Sequence, residues 1–341
     1  MEPDEPDAGV DAVDEPDAAI EPTAACTCVA VGGDGSLTRV ELPSMSHRGD
    51  LPAVATDASL RAFAQTIYAV NPQQNNVAII DLSSNDLSGR LETGLGTNPR
   101  DIAVVGSRAY IPLMDSAELQ IWNLGDSSPQ PGVPLSNFEG DGNPDAASVV
   151  VAGGAVYVSF AYLDASGNPV ARGAVFSMSS PAEQFERLAD LSAGTPVARL
   201  VAMDDSAMVS TSQFGAPELG CGIDVIDRGE FTSSCLATNM ELGGVVTAIE
   251  PVGDASYVII DEQSGTQTLA RIGNPLTIEP LAVAESPVAL AHCEPTGHLV
   301  YTDAASGALH VINLDDGSAA GAAIAIPGGP TTAGGLVCAE W

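Results

Sequence analysis

From Thr66 to Val104 the chain reads TIYAVNPQQNNVAIIDLSSNDLSGRLETGLGTNPRDIAV, in which short apolar runs alternate with polar residues at period two. That period marks strands, and the intervening Asn, Gln, Ser and Gly clusters mark turns. The order is strand, turn, strand, turn, strand, loop, and then the start of the same pattern. Elsewhere an apolar strand follows a proline: Pro52, Pro99, Pro144, Pro196, Pro287 and Pro330 stand at intervals of 47, 45, 52, 91 and 43 residues. The interval of 91 splits at Gly244, where VVTAIEPVG begins, into 48 and 43. A second apolar strand follows each internal start (IYAV, AYIPL, AVYVSF, AMVST, SYVII, HLVYT). A third comes after a polar loop (NVAIIDL, ELQIWNL, GAVFSM, GIDVID, TLARI, ALHVINL), and a weaker fourth usually closes the unit.

Units of roughly 45 residues with four strands each have the length of a propeller blade. One such sheet cannot bury both its faces alone, so the units must stack in a ring. The expected fold is therefore all-β, a seven-bladed β-propeller with four-stranded blades starting near residues 52, 99, 144, 196, 245, 287 and 330. The last unit, PTTAGGLVCAEW, holds a single strand, while residues 26–50 begin with CTCVAVGGDGSLTRVEL, which matches HLVYTDAASGALHVINL of the unit before. N-terminal and C-terminal strands are thus expected to complete the last blade together. Periodicity near 3.6 does not persist; Ser180–Ala189 is the best helical stretch and reads equally as a loop leading into a strand.

The segments NVAIIDL and NPRDIAVVGSRAYI resemble the YVTN-type repeats of secreted bacterial seven-bladed β-propellers. The resemblance covers residues 26–341 and is strongest at 66–125 and 287–314. It implies the fold and leaves the activity open, because the same ring hosts binders, enzymes and enzyme subunits. Propeller lactonases and the heavy subunits of quinoprotein dehydrogenases are the enzymatic alternative; they place His, Glu or Arg in the channel or dock a cofactor-bearing partner.

Residues 1–25 carry nine acids and no base, with DEPDA at 4–8 and again at 14–18. So little apolar surface cannot offset ordering entropy, and a disordered tether is expected ahead of a single domain at 26–341. Its composition resembles the spacer behind the lipidated cysteine of bacterial surface lipoproteins. No run of about 18 apolar residues spans a membrane, and acids follow Met1 directly, with no signal peptide. The reading that reconciles these features is a mature exported chain at the cell surface or in the periplasm, with a lipid anchor upstream.

The whole chain has 45 acids against 11 bases, all of them Arg, for a net charge of −34. Such a surface repels phosphate backbones and anionic membranes, which excludes nucleic acid as a partner class. Calcium is the one ion that the charge favours, and GDGNPD (140–145), LDASGNP (163–169) and NLDDGS (313–318) offer oxygen ligands. Those residues are also good turn formers, and none of the three has EF-hand spacing. No cofactor is otherwise expected.

Six cysteines in an exported chain point to disulfides. Cys221 and Cys235 flank a hairpin that turns near Arg228–Glu230, within about two positions of opposition, so a bulge would bring them together. Cys26, Cys28, Cys293 and Cys338 form the other group, with two bridges expected and one stapling the N-terminal strand to the C-terminal one. Three pairings among these four remain open. A metal site made of the CTC cysteines with Cys293, Cys338 and His292 is the competing reading.

His47, His292, His298 and His310 are scattered, and no HxH, HExxH or GxSxG motif occurs. Propeller ligands sit at the channel mouth, ringed by the loops between second and third strands and by the starts of first strands. Arg100, Asp145 and Arg199 begin first strands. Tyr162, Asp164, Gln213, Asp261 and Glu262 stand on the loops, of which 162–171 and 212–220 are longest. These eight residues form the expected partner or ligand surface, and no catalytic residue is expected. The leading function is a protein-binding or scaffold module, with another protein or envelope component as its partner.

Overall fold

A computed structural model describes residues 26–48, 51–138, 142–179, 185–192, 194–203, 206–212, 220–227, 229–273, 275–281 and 284–340. The expected tether at 1–25, the turn residue Arg228 and the loop residue Gln213 lie outside them. Seven antiparallel sheets of four strands follow one another around a ring, with one inner strand doubled. The chain is a seven-bladed β-propeller. Blade 1 runs outward through Ser59–Phe63, Thr66–Asn71, Asn76–Asp81 and Asp86–Glu92. The inner strands of blades 2 to 6 begin at Ala103, Ala146, Thr195, Gly244 and Pro287. In blade 4 the inner position is shared by two short pieces, Thr195–Pro196 and Val201–Ala202, both paired to Ser206–Ser212.

Blade 7 mixes the two ends of the chain, as the sequence pattern requires. Leu336–Glu340 is its inner strand, and Cys26–Val31, Leu37–Leu42 and Ser46–Arg48 follow outward. Beyond the paired strands the two ends still touch, through the Gly33 N–H to Gly329 O bond of 2.7 Å. A Cβ at Gly32 would sit 2.1 Å from the Pro327 carbonyl, so only glycine allows this approach. Pro52 and Pro330 stand several residues ahead of their strands because these segments bind each other across the closure: Thr331 Oγ1 donates to Thr56 O and Thr332 Oγ1 to Ala58 O.

Second strands are buried along almost their whole length because alternate side chains face different neighbours. In blade 1, Ile67 and Ala69 join Val29 and Val31 of blade 7, while Tyr68 and Val70 join Ala109 and Ile111 of blade 2. In blade 3, Val156, Val158 and Phe160 pack on blade 2, whereas Tyr157 meets Ala207 and Val209 of blade 4. Among the described residues, seven hydrophobic clusters fill the seven interfaces between blades. The core is a ring of interfaces around an open axis.

The described part of the stretch with a possible helical reading belongs to the outer strand Phe185–Asp190 of blade 3, and residues 180–184 lie outside the described set. One turn of helix, Asn239–Leu242, links blades 4 and 5, held by a capping box between Thr238 and Glu241 and ended by left-handed Gly243. No helix among the described residues is long and apolar enough to cross a membrane.

All six cysteines are paired: Cys26–Cys293, Cys28–Cys338 and Cys221–Cys235. Cys28 and Cys338 are direct register partners in blade 7, while Cys26–Cys293 ties blade 7 to the inner strand of blade 6. In blade 4 Cys235 stands opposite Asp224, and register shifts on both sides of Ile223 bring Cys221 to a Cα separation of 5.7 Å. With every sulfur in a bridge, the CTC pair offers no thiolate to a metal. The three bridges point to an extracytoplasmic location.

Candidate functional site

Inner strands hydrogen-bond to one neighbour only, and their free edges and side chains set the bore of the ring. Two cavities lie along this bore. The larger, about 510 Å³, opens at the mouth and takes residues from the inner segments of all seven blades, Ser59, Asp101, Ser148, Arg199, Thr247, Leu290 and Gly334 among them. Pro72, Met114 and Leu163, from loops between second and third strands, form its rim. The smaller, about 310 Å³, lies toward the other end and is mostly apolar, lined by Phe63, Tyr68, Val104, Val151 and Pro251. Arg61 and Arg199 border both cavities and so stand at the waist between them.

A belt of charges and hydroxyls crosses this waist from blade to blade. Arg61 Nη2 of blade 1 lies 2.8 Å from Asp101 Oδ1 at the start of blade 2. The Asp101 carboxylate is 1% exposed. It also accepts from Ile102 N (2.8 Å), Val149 N (3.1 Å) and Ser148 Oγ (2.6 Å) of blade 3. Ser148 Oγ in turn accepts the Leu200 N–H of blade 4 at 2.9 Å. Next to Leu200, Arg199 Nη2 meets Glu250 Oε2 of blade 5 at 2.5 Å. Five consecutive blades are thereby joined through polar groups that face the axis. The Ser148 hydroxyl, donating to one partner and accepting from another, is a strut between blades.

Burial disfavours the charged form of Arg61 and lowers its pKa; Asp101 opposes this, and the like charge of Arg199 reinforces it. His292, half-buried on the inner strand of blade 6, is also lowered, by burial against the opposing pull of Glu250 and Glu294.

The structure brings two of the eight expected site residues to the bore. Arg100 is exposed and lines the mouth cavity. Arg199 is half-buried at the waist. Asp145 is buried, with φ +52°, and its carboxylate accepts Leu163 N (2.6 Å) and Asn143 Nδ2 (3.2 Å), which pins the base of the loop that follows. Tyr162 is buried too, with its ring 5.8 Å from that of Phe160. Asp164 is exposed and accepts Asn168 N and Ser166 N; these bonds hold its carboxyl below the ordinary value. Asp261 and Glu262 border a separate surface cavity of about 360 Å³ beside Met240 and Gly243.

Oxygen ligands in the candidate calcium turns are engaged inside those turns. Asp164 caps its own loop, Asn313 accepts Asp315 N, and Asp316 accepts Ser318 N. In 140–145, Asn143 and Asp145 bond each other, and residues 140 and 141 lie outside the described set. Among the described residues, no three His, Cys, Asp or Glu side chains gather as a metal site.

Sequence reading missed Arg61, Asp101, Ser148 and Glu250. Each is an ordinary polar residue on an inner strand or, for Asp101, just ahead of one, and its partner stands one blade away. The available signal was charge reversal at about one repeat length: Arg61 with Asp101, and Arg199 with Glu250.

No protein-family model matches the chain, and no curated protein matches it. Solved structures resemble it in fold. AztD of Citrobacter koseri is 11% identical over 93% of this chain and 98% of its own, with a TM-score of 0.63. The dihydro-heme d1 dehydrogenase NirN, in complex with DHE, is 15% identical over 94% of this chain and 76% of its own, with a TM-score of 0.62. Hydrazine synthase of Kuenenia stuttgartiensis is 12% identical over 74% of each chain, with a TM-score of 0.58. At such identities the likeness is one of fold alone.

Proposed function

We propose that the chain is an exported, surface-tethered propeller that binds another protein or envelope component through its mouth face and performs no chemistry of its own. One observation carries this reading. Leu95, Val170 and Val197, on the mouth side of blades 1 to 4, are 100%, 56% and 47% exposed in a chain of net charge −34. Large apolar side chains exposed on the same side of the ring, among polar loops, are candidates for burial against a partner. The disulfide-closed ring supports the reading, since a rigid surface loses little entropy on binding. At the waist, the strong charges are already spent on one another.

A second reading, an enzyme or enzyme subunit, draws on the fold neighbours NirN and hydrazine synthase. It would require Arg199 or Glu250 to leave its partner, or His292 to act from its half-buried place on the inner strand of blade 6, on a substrate or a docked cofactor.

Cross-linking in envelope extracts tests the first reading. The tagged chain is expected to form a discrete cross-linked species whose linkages map to residues 71–76, 93–98, 114–118 and 162–171. Leu95→Asp with Val170→Asp should abolish it, and Leu87→Asp, on an outer strand, should not. A species that survives the double substitution, or linkages confined to outer strands, would overturn the proposal.

A further inference from the structure

Two charges at the channel mouth are left over from the belt, and they have opposite sign. Among the described residues, neither the Arg100 guanidinium nor the Asp57 carboxylate has an ion-pair or hydrogen-bond partner, yet both line the mouth cavity. They come from adjacent blades: Ser59, two residues after Asp57, donates its hydroxyl to the Arg100 carbonyl at 3.5 Å. Deeper in the same cavity, Arg61 is neutralised by Asp101 and Arg199 by Glu250. The remaining wall mixes the apolar side chains of Met114, Leu163, Val197 and Leu290 with hydroxyls such as those of Thr247 and Thr332. At about 510 Å³ the cavity falls within the size range of small-molecule sites.

The charge of a fitting ligand follows from two opposing fields. A free anion approaching this chain meets the repulsion of a net charge of −34. A free cation is drawn in by that field but meets the unpaired Arg100 guanidinium at the cavity wall, Arg61 and Arg199 being neutralised already. A molecule that carries both charges and no net charge escapes both penalties and can satisfy both unpaired groups. Pairing matters here because a charge that loses water on binding without a partner weakens the complex.

We propose that the mouth cavity binds a small zwitterion with an apolar side chain, an α-amino acid or a dipeptide. Arg100 takes its carboxylate, Asp57 its ammonium group, and the Met114–Leu163–Val197–Leu290 wall its side chain. This site does not depend on a macromolecular partner. Its failure would leave the outer apolar surface at Leu95 and Val170 untouched, and those residues are absent from the cavity.

Titration calorimetry on the full chain tests it with four probes: L-leucine, leucyl-leucine, N-acetyl-L-leucine and L-leucinamide. Leucine or leucyl-leucine is expected to bind, the tighter of the two showing which length the cavity takes. Arg100→Gln and Asp57→Asn should each weaken that binding about tenfold or more, the loss expected for one charge-assisted contact. N-acetyl-leucine lacks the ammonium group and leucinamide the carboxylate, so each should bind at least about tenfold more weakly than leucine. Matching thermal melts of both variants and the unsubstituted chain would separate lost binding from lost fold. Three results would overturn the proposal: no heat from leucine or leucyl-leucine at millimolar concentration, binding insensitive to both substitutions, or the acetylated or amidated probe binding as well as leucine.

Discussion

Replacing Cys28 and Cys338 together by alanine removes one of the two bridges that hold the ring shut. The sequence separations are 267 residues for Cys26–Cys293 and 310 for Cys28–Cys338, but the bridges are not independent. With Cys26–Cys293 intact, the unfolded chain already links residue 28 to residue 338 by a short path. That path is two residues from Cys28 to Cys26, the bridge, and 45 residues from Cys293 to Cys338. In the chain-entropy treatment, closing this loop of about 47 residues is worth about 4 kcal/mol, and the last remaining bridge, closing the long loop, is worth about 5–6 kcal/mol. Either bridge lost alone should therefore cost about 4 kcal/mol, and losing the second should cost more than losing the first. The alanines keep the burial of Cys26 and Cys28 small and apolar, so little cavity contribution is added. Guanidinium unfolding of the oxidised protein, the two double-alanine variants and the four-alanine variant measures all three steps. A four-alanine variant that loses less than twice the loss of either pair would refute closure through a shared loop.

Three further outcomes follow from the same structure. Asp101→Ala should destabilise by about 3 kcal/mol in urea unfolding, since it leaves the half-buried Arg61 guanidinium without its counter-charge and removes the buried acceptor for Ser148 and two backbone N–H groups. Gly32→Ala should lower the melting temperature through a loss of about 1–3 kcal/mol, because the added carbon meets the Pro327 carbonyl where the two chain ends cross. Asp303 is pushed up by burial but pulled further down, below the ordinary 3.8, by the N–H groups of Ser286, Ser306, Glu285 and Ala305. Its contribution to stability is present above that ordinary value and disappears as pH falls through the lower folded one, so Asp303→Asn should flatten the drop in unfolding free energy between pH 5 and about pH 3.

The parts of the fold that could be read from the sequence are those whose residues answer to two neighbours at once. Second strands such as AVYVSF must bury both faces, so they stay apolar in every unit and recur at nearly fixed spacing. Outer strands answer to one neighbour and to water. That is why Phe185–Asp190, with FERLAD, also fits a helical pattern. Closure was legible for a different reason: seven repeats with six complete units leave one strand at the C-terminus that only the N-terminus can pair.

The site follows the opposite logic. Its members sit on inner strands or on the segments leading into them, where pairing on one side and a free edge toward the axis relax the demand for apolar residues. No local pattern marks Arg61 or Asp101, because the contact that gives each its meaning is made about one blade away, between positions 40 residues apart. Arg100 and Asp101 are adjacent in sequence and have contrasting roles. Asp101 points inward and is saturated by four donors, while Arg100 stays exposed and unpaired among the described residues. The two stand just ahead of the inner strand Ala103–Val105, so the segment leading into a first strand supplies a ring strut and a mouth-lining charge from neighbouring positions. This explains why strand starts were the right place to look for the mouth. It also explains why Asp145, at the equivalent start in blade 3, is buried: with φ +52° its carboxylate turns to the backbone of its own loop and does not face the bore.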